Sequence, residues 1–187
     1  MKTFKIALSV LIMTSTSIGF AQDNEDDTHT VTITVPTVAL VDIEPAASKN
    51  LTILFVAPTE AGLPLADPVD DTSLWLNYSS IITASANTVS VKLDALLPGV
   101  DINVTAGADA GGGDGDVGTP AGAALTLTTA DQVIVSAIGS SYTGDGINNG
   151  HNLTYSVDGA TTGTANYEDL VAAAGTAVTV TYTISNN

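Results

Sequence analysis

Asp109, Asp114 and Asp116 stand in a run built almost wholly of Gly, Ala and Asp, Ala108-Asp-Ala-Gly-Gly-Gly-Asp-Gly-Asp-Val117. Hard divalent cations take several oxygen ligands at flexible spacing, and glycines let backbone carbonyls turn inward, so these three carboxylates are the candidate Ca²⁺ ligands. The run is a single imperfect copy of a Gly-Gly-x-Gly-x-Asp pattern and has no distal Glu of the EF-hand kind. Trp75 and Asn77, in Leu74-Trp-Leu-Asn-Tyr78, are the candidate ligand-contacting pair. If Leu74, Leu76 and Tyr78 face a core, Trp75 and Asn77 face out, and an outward Trp can stack on a sugar; in a sheet covered on both faces Trp75 is core instead. No other cofactor is implied.

Catalytic groupings are thin. The two histidines are His29, beside an acidic stretch, and His151, in Asn148-Asn-Gly-His-Asn152, which reads as a polar loop. No serine sits in Gly-x-Ser-x-Gly, and no Cys exists to act as nucleophile, thiolate ligand or disulfide partner. The carboxylate pairs Asp70-Asp71 and Glu168-Asp169 are sequence neighbours, which point apart on a strand or helix, and few aromatics accompany them to hold a sugar. The chain is therefore expected not to be an enzyme, with no catalytic residues.

Charge limits the partners. The chain carries 20 Asp and Glu against four Lys, and its formal charge is −16. There is no Arg, and beyond residue 21 the cations are Lys49 and Lys92 alone. Such a surface repels phosphate backbones and anionic membranes, so nucleic acid is excluded as a partner and phosphoryl transfer as a reaction. The acidity suits solubility in a salty exterior, or cation binding. Lys2 and Lys5, an apolar run from Ile6 to Met13 and the small-x-small site Gly19-Phe20-Ala21 read as a secretory signal peptide over residues 1–21, too short to span a membrane. The expected destination is the exterior or cell surface, with the periplasm as the other exported compartment. An acidic tail over residues 22–28 follows, then one domain over residues 29–187 with no membrane insertion.

The elements that must position these residues are strands. Apolar content is 44%, too high for a disordered acidic chain. Thr28–Val35 alternates, with Val31, Ile33 and Val35 on one side; Val38–Ile43 follows Pro36; Leu51–Val56 reads as a near-continuous, central strand. Pro58–Thr72 is a proline-rich loop. Strands are expected at Leu74–Ala84, Thr88–Leu93, Val100–Val104, Leu125–Leu127, Gln132–Ile138, Asn152–Val157 and Ala177–Ile184, with Gly107–Gly122 and Gly139–Gly150 as surface loops. Tyr167–Ala174 is the one helix candidate, stopped by Gly175. Short strands without βα alternation or internal repeat predict an antiparallel β-sandwich, Ig-like or jelly-roll Greek key, with one short helix near the C-terminus. Threonines at 30, 32, 34 and at 179, 181, 183 fit ordinary solvent faces; an ice-binding face would need a repeat.

The two ends of the chain, Val31-Thr-Ile-Thr-Val35 and Gly175 followed by Val178, Val180, Tyr182 and Ile184, resemble secreted fimbrial-type subunits, including the spore-coat-U and pilin-like sandwiches of Gram-negative bacteria. The resemblance implies that the N-terminal strand completes a neighbour's sheet. The chain departs from that pattern in lacking a cysteine pair and in placing Tyr182 short of the penultimate position. The expectation is a secreted structural or adhesive surface protein that self-assembles, or joins other surface proteins, through terminal strands. The alternative is an extracellular module binding a glycan or Ca²⁺.

Overall fold

Alternation of β-branched and polar residues produces strands here wherever a neighbour exists to complete the ladder. The computed structural model describes residues 25–159, 167–172 and 175–185. The expected signal peptide and the end of the expected helix, residues 173–174, lie outside them. The chain divides after Thr34, later than the boundary at residue 29 read from the sequence. Of the first unit, residues 25–34 are described: they carry no strand, and their side chains are exposed.

The second unit contains eleven strands among the described residues. These are β1 (Val38–Glu44), β2 (Asp71–Ile81), β3 (Asn87–Leu93), β4 (Asp101–Asp109), β5 (Asp114–Gly115), β6 (Thr119–Pro120), β7 (Leu125–Thr126), β8 (Gln132–Ile138), β9 (Ser141–Tyr142), β10 (His151–Asp158) and β11 (Val180–Ile184). They form two antiparallel sheets, as an all-β sandwich requires. In the larger, β2 pairs with β1 along one edge and with β10 and β9 along the other; β10 continues to β4 and β4 to β7, while β5 pairs with β9. The smaller runs β11-β3-β8-β6.

Period-two burial shows why these sequences hold their register. Val89, Val91 and Leu93 of β3, and Leu153, Tyr155 and Val157 of β10, point inward from opposite sheets. All of these but Val157 meet Leu74, Leu76, Val104, Ile134, Val135 and Ile138 in one core. A one-residue slip would turn each set to water.

Three expectations need correction. Thr28–Val35 is not a strand: residues 26–37 have no ladder partner among the described residues, and alternation alone leaves backbone N–H and C=O groups better served by water. Leu51–Val56 is not a central strand either. The chain leaves β1 at Pro45 through a 3-10 turn, Ala46–Ser48, and then runs extended outside both sheets, with one bridge from Val56 to Ala66. Leu51, Ile53 and Phe55 are half-buried, whereas Leu54 and Val56 are exposed, so a half-covered strip had read as a buried strand. The expected helix reduces to a 3-10 turn at Tyr167–Asp169.

Candidate functional site

The three aspartates do not gather. Each carboxylate caps its own turn: Asp109 Oδ2 accepts from Gly111 N–H at 2.9 Å, Asp114 Oδ1 from Gly115 N–H at 2.7 Å and Asp116 Oδ1 from Gly118 N–H at 3.3 Å. Asp114 and Asp116 are exposed. Among the described residues no group of three His, Asp or Glu side chains is placed to hold a metal ion. Aspartates one or two residues ahead of glycines satisfy the local backbone, a role open to any Asx residue in a turn.

Nor is the run a loose loop. β5 pairs with β9 and β6 with β8, so the segment from Gly107 to Gly122 is laced to the segment from Gly139 to Gly150. A Cβ on Gly113 would overlap the carbonyl oxygen of Tyr142, and one on Gly112 the side chain of Asn149. The glycines supply close approach of two backbones. This corrects the surface-loop reading of both stretches.

Beneath them lies a buried polar chain centred on His151, which is 0% exposed and opens β10. Its Nδ1 lies 2.8 Å from the Gly107 carbonyl and so carries a proton; Nε2 lies 2.8 Å from the Tyr78 hydroxyl, whose single proton also has the Val117 carbonyl within reach and serves one of the two acceptors at a time. The rings of Tyr78 and His151 stack at 5.7 Å. Burial pushes the Tyr78 phenol well above its ordinary range, and the carboxylates of Asp109 and then Asp116 add to that. The chain ties β2, β4, β10 and the glycine-rich segment together at one end of the core. No reactant reaches a histidine without exposure, so His151 is a structural residue in a strand and not a polar loop residue. Its signal in the sequence was its place at the head of an alternating run, His151, Leu153, Tyr155, Val157. His29, by contrast, is exposed in the first unit.

Trp75 and Asn77 do point away from the core, but to different fates. Trp75 is half-buried, opposite Glu44 on β1 and Asn152 on β10. Asn77 is only 4% exposed: its Nδ2 donates to the Asn149 carbonyl at 2.7 Å, and its Oδ1 is buried without a hydrogen-bond partner. Asn77 therefore offers nothing to a surface ligand. Asp71, at the start of β2, accepts from Ser73 N–H and Oγ, and Glu168-Asp169 lie in the 3-10 turn. Neither pair forms a facing couple of carboxylates.

The opposite side of the sandwich holds a cleft that sequence reasoning missed. Its volume is about 860 Å³. It opens between the larger sheet, through Val41, Ile43, Leu74, Ile102 and Tyr155, and the smaller, through Val178, Val180 and Tyr182; the strip Leu51, Ile53, Phe55 forms one wall. At its floor the hydroxyls of Tyr155 and Tyr182 bond to each other across the two sheets at 2.7 Å. The cleft could be found in the sequence only as apolar residues that no ladder claims. β1 and β11, on this side, each have a single ladder partner among the described residues.

Comparison with protein families, characterised proteins and solved structures returns no match. Among the described residues, no helix is long and apolar enough to cross a membrane.

Proposed function

We propose that this chain is an exported structural or adhesive subunit that associates through β-strand addition, with Val31–Val35 as the added strand. The observation that carries the reading is the state of that segment. Val31 is 69% exposed, Ile33 81% and Val35 71%, in a run with no ladder partner among the described residues. Three apolar side chains on one side of an unpaired backbone are what a sheet edge accepts: main-chain bonds supply affinity and alternate side chains supply register. Edges able to receive it exist, since β1 and β11 are each paired on one side only among the described residues. Export rests on the basic start, apolar run and Gly19-Phe20-Ala21 site.

The test is sedimentation of the chain from residue 22 onward, over a wide concentration range, beside the double variant Val31→Lys, Ile33→Lys. The parent is expected to associate as concentration rises. The variant is expected to stay monomeric with an unchanged melting temperature, because exposed positions carry little folding energy, within about 0.5 kcal/mol. A parent that stays monomeric throughout sinks the reading.

A further inference from the structure

The two cations beyond residue 21 differ in circumstance. Lys92 pairs with Asp131 at 3.2 Å. Lys49 is exposed and, among the described residues, has no carboxylate within ion-pair distance. It stands at the rim of the cleft, the only cation lining it among the described residues.

The cleft interior restricts what can enter. Leu74, Ile102, Val178 and Val180 present hydrocarbon. The Tyr155 and Tyr182 hydroxyls are engaged with each other, and the other uncharged polar side chains of the lining are Asn50, Thr176 and Thr179. Backbone groups of β4 and β10 below it are committed to ladders. A sugar or a peptide backbone buried between the sheets, away from the free edges of β1 and β11, would leave hydroxyls or amides unpaired, at a cost of about 1–3 kcal/mol for each group. An alkyl chain carries no such groups. The volume of about 860 Å³ falls within the roughly 300–1,000 Å³ of small-molecule sites. The wall formed by Leu51, Ile53 and Phe55 belongs to no sheet, so it can shift to admit a guest without breaking a ladder.

We propose that this cleft binds a single-chain anionic amphiphile, its hydrocarbon tail between the two sheets and its carboxylate at Lys49. Asp42 also lines the rim, with one carboxylate oxygen accepting from its neighbour's amide, Ile43 N–H. It opposes an anionic head, so removing its charge should tighten binding. This site does not depend on the self-association reading: it uses neither Val31–Val35 nor a second copy.

The experiment is calorimetric titration of the chain from residue 22 onward with dodecanoate, dodecanol and dodecyltrimethylammonium, each below its aggregation limit. One saturable site per chain is expected for dodecanoate, about tenfold tighter than for the cation, and weakening as salt screens the head. Lys49→Gln should weaken dodecanoate about three- to tenfold, and Lys49→Arg should restore most of the loss. Asp42→Asn should strengthen it. Ile53→Ser, on a strip outside both sheets, should weaken all three amphiphiles while circular dichroism stays unchanged. No saturable uptake overturns the proposal. So does equal affinity for anion and cation with no response to Lys49→Gln, which is non-specific adsorption. Displacement of dodecanoate by a peptide of residues 22–35 would overturn it too, by assigning the cleft to a second copy.

Discussion

The hydroxyls of Tyr155 and Tyr182 show how a single pair can be both inert and informative. Burial raises the phenol of Tyr155 to about 12, and that of Tyr182 well above its ordinary value. An acid harder to ionise when folded favours the folded state below its unfolded value, near 10, and loses that advantage as pH rises towards the folded one. Unfolding above pH 10 therefore releases a proton, and stability should fall between pH 10 and 12, by about 2–3 kcal/mol from Tyr155 alone. In the double variant Tyr155→Phe, Tyr182→Phe the alkaline loss should shrink, leaving the share of Tyr78, while stability at pH 7 changes little because no hydroxyl is stranded. Tyr155→Phe alone should cost about 1 kcal/mol at pH 7, since it takes the partner from the part-buried hydroxyl of Tyr182. Chemical denaturation at pH 7, 10 and 11.5 separates these outcomes. Neither tyrosine was singled out from sequence as one of a pair: Tyr155 and Tyr182 fall in separate expected strands, and only the packing of the sheets brings their hydroxyls together. The Asp-Gly spacing of the glycine-rich run was legible as oxygen chemistry, yet the same spacing serves turns, and turns are what the carboxylates cap.

At the scale of elements, alternation was a sound guide wherever a ladder partner was available. β2, β3, β8 and β10 fall where their patterns place them because inward residues such as Val89 and Leu153 lose water together. The alternation failed at Val31–Val35, and the near-continuous apolar run failed at Leu51–Val56, since neither segment is claimed by a sheet among the described residues. Strand formation is a property of pairs, and one segment's sequence cannot report a missing partner. The glycine-rich segments failed in the opposite sense, since low complexity hid a close fit. Gly113 sits against the Tyr142 carbonyl, whereas Gly146 has positive φ and open space around it. Gly113→Ala should force two backbones apart and cost more than about 3 kcal/mol, beyond the usual range for single substitutions. Gly146→Ala should cost about 1–2 kcal/mol, the strain of a left-handed backbone alone. Equal effects in thermal melts would show that the two segments are not laced together.

Over the whole molecule, charge governs what the exposed segment and edges can do. A formal charge of −16 repels a second copy before any strand can pair. Near 0.01 M salt the screening length is about 30 Å, and at 0.15 M about 8 Å. Self-association should therefore rise with ionic strength, opposite to the behaviour of an interface held by ion pairs. The same repulsion acts within one subunit, so its melting temperature should climb as salt is added. Ca²⁺ should do no more than screen. Asp109, Asp114 and Asp116 each cap a local turn and are not gathered around a common point, so no cage selects an ion by size. At matched ionic strength, CaCl₂ and MgCl₂ should raise the melting temperature equally, and Asp109→Asn with Asp114→Asn and Asp116→Asn should leave the two salts equivalent. A rise of several degrees specific to Ca²⁺, abolished in that triple variant, would mean that the three carboxylates leave their turns to meet around the ion.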